Sequence, residues 1–434
     1  MISMSRRNGA RRAVSTLALA LALGCGAVVA TGVSAPAVYA QDKNSRGFVE
    51  AYSSVMPQKK DEQPDWNTIK GQLGLMEAAV ENDQDRYLAG QIYLQAGSNL
   101  QDPALQLQGL KMMLASGKVA PQDVGRFQFF VGSLSTNAGD YATARTALQA
   151  SIDAGFTAED VRGIMGETYF REGNARQGVS YLLEQSRSVA AAGGAVPEIW
   201  LARALQGAYD ANMTAEANQS AIMLVERYPS AKNFSSSTQI VRGLNELAPQ
   251  EELDLLRLLR LADKLPLREY FTLYIESADP RIMSNEVVDV LAEGVAAGIF
   301  TTSDPYYMDV KNVADGRTTQ DRRDAPELAA EAKTKSDAQS ALIAGDVNYS
   351  IDNFAAAEAM YALAAERGGP SQDTALTRQG MAQVQQGKYA EAATTLSGVT
   401  SGNRGIIAAL WKAYAASKVA QAPAGGAAPA AAAE

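Results

Sequence analysis

No histidine occurs anywhere in the 434 residues, and that closes most routes to enzymatic chemistry. Without it there is no imidazole general base, no Ser-His-Asp or Cys-His nucleophile, and almost none of the common zinc and iron ligand sets. The G-x-S-x-G turn that exposes a nucleophilic serine is missing too. Gly380 to Lys388 approaches a phosphate-binding loop, but its glycines are spaced too widely and Tyr389 stands where Ser or Thr would hold magnesium. Asp346, Asn348, Ser350 and Asp352 have the alternation of a calcium loop, yet Ile351 replaces its turn glycine and Ala357 its bidentate glutamate. No metal and no cofactor are expected. One catalytic option needs no imidazole, a carboxylic acid such as Glu276 acting as general acid.

The elements that would position any such group follow a repeated unit. A helix with a small residue in its middle is followed by a Gly or Asp/Asn turn, then by a second helix that opens on an aromatic residue or Ala and carries Ala, then Leu. Gly132 to Leu148 and Gly166 to Leu182 start 34 residues apart, and Gly345 to Tyr361 and Gly380 to Leu396 start 35 apart. Glycine inside a helix costs about 1 kcal/mol relative to Ala, so Gly90, Gly132, Gly166, Gly345 and Gly380 imply close approach of the second helix. Seven residues on, Gly97, Gly139, Gly173, Asp352 and Gly387 fall where the chain leaves the first helix in a left-handed conformation. Asp140, Asn174 and Asn353 follow as helix N-caps.

This unit resembles the tetratricopeptide repeat (TPR), a 34-residue helix-turn-helix. The likeness is carried by the turn and by Ala144, Gly178, Ala357 and Ala392 with Leu148, Leu182, Tyr361 and Leu396 one turn later. The first helix departs from the family, with Gln128 and Val131, or Arg162 and Met165, at its Trp and Leu positions. Looser units fit around Trp200, Ala217, Leu224 and Pro229, and from Gly90 and Tyr93 through Leu110 to Pro121. The resemblance implies an all-α fold, a right-handed α-solenoid of helical hairpins with a binding surface for protein. The expected organisation is an array over residues 64–230, divergent hairpins over 231–300, an irregular linker over 301–324, and a second array over 325–418 that begins near Pro326 and ends in a capping helix containing Trp411 and Tyr414. Residues 41–63 are expected to be disordered or extended, and the Ala/Pro tail, 419–434, disordered. Within the divergent part, Glu251 to Leu265 reads as a buried helix, with a partner-binding or membrane-surface stripe of Arg257, Arg260 and Lys264 as the alternative.

In the family the first helices line the groove. Transferred to this register, the groove presents Arg126, Phe129 and Ser133, then Glu167, Phe170 and Arg171, and downstream Leu342, Asp346 and Tyr349 followed by Thr377, Met381 and Gln385. These mixed aromatic and polar residues suit a protein segment; the carboxylate-clamp pattern of chaperone-binding members is not reproduced. Separately, Tyr274 to Pro280 looks like the Glu-Ser segment of lytic transglycosylases, which would make Glu276 the acid, although the family's following Gly-Leu-Met-Gln stretch is not present.

The N-terminus reads as an export signal: Arg6, Arg7, Arg11 and Arg12, the apolar run Ala13 to Ala30, and a cleavage-like end at Val38, Tyr39 and Ala40. Arg6 and Arg7 alone do not make a twin-arginine signal, and lipidation at Cys25 or an uncleaved anchor are the alternatives. The whole chain has 39 basic and 48 acidic side chains. Removing residues 1–40 takes away four arginines and no acid, for a net charge of about −13, and such a surface repels nucleic acid and anionic lipid. The sequence thus reads as a periplasmic, non-catalytic scaffold for protein partners in a bacterial cell envelope. No nucleic acid and no stable membrane insertion after cleavage are expected. A peptidoglycan-acting enzyme or a membrane-tethered organiser are its rivals.

Overall fold

A computed structural model describes residues 43–57 and 63–421. The expected signal, Cys25 and residues 422–434 of the tail lie outside the described residues. Within them the protein is all-α, with twenty helices. It divides into two compact units, residues 1–168 and 169–434.

The first unit contains α1 (Arg46–Val55), α2 (Trp66–Ala78), α3 (Asp83–Asn99), α4 (Pro103–Ala115), α5 (Pro121–Ala138) and α6 (Tyr141–Asp153), and α7 (Val161–Arg171) runs across the boundary. The segment expected to be disordered or extended is in part α1. Phe48 and Val55, two turns apart on one face, are buried against Ile69, Leu73, Met76 and Ile92. Ser45 caps the helix by accepting from the Phe48 N–H at 3.2 Å, and Asp85 ties it down by accepting from the Ser45 N–H at 2.9 Å. The amphipathic spacing is short, which is why composition hides it.

The hairpins α3–α4 and α5–α6 are the most closely packed pairs of this unit. A Cβ on Gly132 would stand 2.5 Å from Leu148 Cγ, and one on Gly90 2.8 Å from the Gly109 carbonyl oxygen. The same approach recurs in the second unit, where a Cβ on Gly345 would meet Tyr361 Cε1 and one on Gly380 would meet Leu396 Cγ, each at 2.5 Å. The turns follow the expected register: Gly139, Gly173 and Gly387 have φ of +80°, +87° and +74°, and Asp352 has +61°. Gly97 does not, because α3 continues to Asn99 and the left-handed residue is Gln101 at φ +53°. Gly97 instead admits the Gln106 backbone of α4, 2.6 Å from where its Cβ would be. Asp140 and Asn174 cap α6 and α8 (Ala175–Ala191) through the N–H groups of Thr143 and Gln177, whereas the Asn353 side chain makes no cap hydrogen bond.

The second unit continues with α9 (Glu198–Asp210), α10 (Thr214–Arg227), α11 (Ala231–Leu244), α12 (Pro249–Ala262), α13 (Arg268–Ala278) and α14 (Ser284–Ala296). Then come α15 (Pro305–Thr334), α16 (Ala338–Ser350), α17 (Phe354–Arg367), α18 (Gln372–Gln385), α19 (Tyr389–Leu396) and α20 (Gly402–Gln421). Two expectations fail here. The irregular linker over 301–324 is mostly helical, lying in the 30-residue α15 with Pro326 inside it rather than opening a new helix. Asp304 caps α15, Pro305 occupies its first turn, and the pairs Lys311–Asp315 at 2.7 Å and Arg317–Asp321 at 3.2 Å run along it. Only Ala314, Asp321, Ala325 and Ala332 are buried. A helix that buries so narrow a stripe leaves no apolar periodicity to read.

Nor does the C-terminal part stand as a separate array. The last helix, α20, packs on α10, α12 and α18, and one hydrophobic core runs from Val179 to Ala415. Trp411 is fully buried and donates its indole N–H to the Asp254 carbonyl at 2.9 Å. The expected cap is an interior helix, and it extends through Gln421, three residues into the expected tail.

The close approaches can be tested against open glycine positions. Gly132→Ala should cost about 1–3 kcal/mol in chemical denaturation, because Leu148 must move from a packed site. Gly74→Ala, on the exposed face of α2 with nothing within 4 Å of the new methyl group, should stabilise by about 0.5–1 kcal/mol.

Candidate functional site

The groove inferred from the repeat register is largely filled by the protein itself. Phe129 is buried, with its ring 5.4 Å from Phe130 and 5.5 Å from Phe156. Arg126 pairs with Asp123 at 2.8 Å, and Ser133 and Glu167 are half-buried. In the second unit Phe170 fills the space opposite Gly178 and Gly207, and the Arg203 guanidinium lies 4.1 Å from its ring centre; Arg171 is exposed. Leu342, Asp346, Tyr349, Thr377 and Met381 are all buried, and half-buried Gln385 donates to the Tyr349 phenol at 3.2 Å. The physical reason downstream is the packing of α20 onto α12 and α18, with Arg378 of α18 bonded to Asp254 of α12. That face of α16 and α18 meets charged side chains of α12 instead of solvent.

A different groove lies between α9 and α11, the first helices of two successive hairpins. It encloses about 490 Å³ and is lined by Glu198, Ile199, Ala202, Leu205 and Gln206 of α9, Leu224 of α10, and Lys232, Asn233, Ser236 and Ile240 of α11. Ile199, 64% exposed at its mouth, is the most exposed large apolar side chain of the described residues. Asn233 Nδ2 donates to Glu198 Oε1 at 2.8 Å and so braces one helix against the other. The transferred register used only the four regular units; α9 belongs to the looser unit around Trp200, and α11 follows Pro229, where the repeat letters fade.

The second feature is a buried ionic network centred on α12. Asp254, with no solvent exposure, receives Arg378 Nε at 3.1 Å on both oxygens, Arg257 Nη1 at 3.1 Å, and Arg404. Arg378 continues to Asp346 at 2.7 and 2.8 Å and to Gln250 at 2.5 Å, and Tyr361 closes on Asp346 at 2.8 Å. Arg257 forks onto Glu286 at 2.8 and 2.6 Å, which also accepts the Tyr274 phenol at 2.5 Å. Burial pushes the Asp254 pKa up, but the charges of Arg378, Arg404 and Arg257 outweigh it and hold the carboxyl at about 2. At Glu286 burial is likewise overcome, by Arg257, and the pKa is lowered. At Asp346 burial wins over Arg378 and Arg257, and the pKa is raised. The stripe of Arg257, Arg260 and Lys264 is therefore no docking surface: Arg257 is interior and Arg260 is bound to Glu293 at 2.7 Å.

Beside this network lies a cavity of about 290 Å³, walled by Arg257, Arg260, Tyr274, Glu286, Tyr349 and Gln385, with Leu261, Asp289, Glu293, Asp352 and Phe354 completing it. Four of the side chains singled out for chemistry fall elsewhere. Glu276 is exposed and stands outside the cavity. Asp346, Asn348 and Ser350 belong to α16 and not to a loop, with Asn348 donating to the Ala344 carbonyl at 2.8 Å. No group of three or more metal-ligating side chains occurs among the described residues.

No family model matches the chain, and no curated protein matches it either. Among solved structures, the chain is similar to one described as "Structure of Naa15/Naa10 bound to HypK-THB", with 12% identity and a TM-score of 0.23. That match covers 75% of this chain and 60% of the other, so this chain spans less than two thirds of its length. A likeness this distant carries no argument about what the protein binds.

Removing one member of the network leaves buried charge unpaired, so Arg378→Met should cost about 3–5 kcal/mol in urea denaturation. Arg260→Met, which breaks a half-exposed pair, should cost about 1 kcal/mol or less. The depressed Asp254 pKa stabilises the fold above its ordinary value of 3.8, an amount of about 2 kcal/mol. That contribution should disappear as pH falls from 4 to 2. The raised Asp346 works in the opposite sense, so Asp346→Asn should steepen the acid loss.

Proposed function

We propose that this protein is a non-catalytic scaffold that binds a segment of a partner protein, and that it works after export, in the periplasm of a bacterial cell envelope. The observation that carries the reading is the apolar groove between α9 and α11. Successive first helices are where the tetratricopeptide resemblance puts ligands, and here Ala202, Leu205 and Ile240 offer an apolar lining, with Ile199 at the mouth and Glu198 and Lys232 beside it. An amphipathic helix or extended strand of a partner would bury its apolar side chains there and keep its polar edge in water. Export rests on residues 1–40 alone. Among the described residues no helix is long and apolar enough to cross a membrane.

Glu276 does not favour the peptidoglycan-cleaving alternative, because a general acid works in a shaped, partly desolvated cleft and Glu276 is exposed.

A photo-crosslinking amino acid at Ile199 should capture a partner in intact cells, while one at Glu276 should not. Ala202→Glu, which places a charge on the groove floor, should weaken that capture at least tenfold with helical circular dichroism unchanged. Capture insensitive to Ala202→Glu would move the partner to another surface. N-terminal sequencing of the exported protein should begin at Gln41; a lipid-modified Cys25 at the N-terminus would replace this cleavage with lipoprotein processing.

A further inference from the structure

The cavity beside the ionic network repeats one arrangement in its walls. Arg257 sits against the Tyr349 ring at 4.5 Å and on the Glu286 carboxylate. Arg260 sits against the Tyr274 ring at 5.7 Å and on the Glu293 carboxylate. Each is a guanidinium held between an aromatic face and an acid, which is how cation–π and charge-assisted contacts reinforce one another. A third set of the same parts lines the same space: Asp289, Asp352 and Phe354. Phe354 stands edge-on to Tyr349 with ring centres 5.2 Å apart. Among the described residues no cation is bonded to this third set. Neither Asp289 nor Asp352 is in an ion pair among the described residues; Arg260 and then Arg322 are near enough to be felt by Asp289, but Arg260 is bound to Glu293 and the Arg322 guanidinium donates to the Ile351 carbonyl at 3.4 Å.

The charge balance points the same way. Two arginines and four carboxylates line the cavity, and both arginines are already paired. Partial burial, and then the charge of Asp352, raise the Asp289 pKa, so the two acids, both exposed at the cavity's edge, repel each other. Tyr349, 5% exposed in the same wall, accepts from Gln385 and donates its own phenol proton to no described atom. At about 290 Å³ the cavity is at the small end for ligand sites. It suits a single chain with a charged head.

We infer that this cavity is a binding site for an aliphatic guanidinium or ammonium group, the kind carried by an arginine or lysine side chain, held by Asp289 and Asp352 against Phe354. The cation completes the third aromatic-acid set and relieves the repulsion between the two carboxylates. The site is separate from the α9–α11 groove and does not depend on it.

Isothermal titration calorimetry with the purified protein tests this, using two probes: agmatine, a free cation, and the blocked tripeptide acetyl-Gly-Arg-Gly-amide, whose carbonyls could also take the Tyr349 proton. Saturable binding of at least one is expected. Preference for agmatine assigns the site to a free amine, and preference for the tripeptide assigns it to a polypeptide side chain. Asp289→Asn with Asp352→Asn should weaken binding at least tenfold; Asn keeps the left-handed turn at Asp352 accessible. The control pair Glu276→Gln with Glu391→Gln removes the same charge from exposed sites outside the cavity and should leave binding unchanged. Absence of binding at millimolar probe, undiminished binding by the Asp289 and Asp352 variant, or equal weakening by the control would overturn the assignment.

Discussion

The second unit depends on one carboxylate. Asp254 sits in the middle of α12, has no exposure to solvent, and is met by arginines from α12, α18 and α20. Its backbone carbonyl is also taken, by Trp411 of α20. Burying a lone carboxylate is prohibitively costly, and burying three guanidiniums around nothing is worse, so each group is tolerable only with the others in place. The apolar residues of α12 would pack on many neighbours, but the charges accept only one arrangement. The ionic network thus fixes which helices surround α12, and the hydrophobic core fills the space that results.

That constraint separates the two kinds of order in the molecule. Hairpin packing is local and repeats: a missing side chain at Gly132, Gly345 or Gly380 admits the large residue sixteen positions later. In an ideal solenoid such units contact only their neighbours, and stability is close to a sum over repeats. Here the helices around Asp254 join residues 124 and 150 positions apart. The second unit therefore behaves as one cooperative body rather than a row of repeats, and the α9–α11 groove and the charged cavity are both framed by helices that it holds.

How much of this was legible in the sequence follows from the same distinction. The hairpins were, because a glycine at a helix centre is costly unless a neighbouring helix needs the space, and a glycine or aspartate seven residues later suits the left-handed exit from that helix. The line of buried residues on the second helices was legible too, since Leu148, Tyr361 and Leu396 sit where the register puts them. The network was not. The leucines of Glu251 to Leu265 marked α12 as a buried helix, but its Asp254, Arg257 and Arg260 fit a surface stripe as well, and nothing local marks Arg378 or Arg404 as their partners. The transferred groove failed at Asp346, Tyr349, Thr377 and Met381 for that reason. Residues that would be exposed in an open array are covered here by helices distant in sequence. In α15 the failure had the opposite origin: a helix stabilised by capping and by i,i+4 charge pairs, with only a thin alanine stripe buried, carries no hydrophobic signal.

The return of α20 onto α12 also has a meaning in time. When α12 has been made, the arginines that neutralise Asp254 from α18 and α20 still lie more than a hundred residues ahead on the chain. Until they arrive, α12 can keep its carboxylate only by leaving it in water, so its final burial must wait for the C-terminal helix. The second unit is consequently a fold that cannot be finished from its beginning, and a chain that stops short of Arg404 and Trp411 would hold hairpins without the closure that makes them one body.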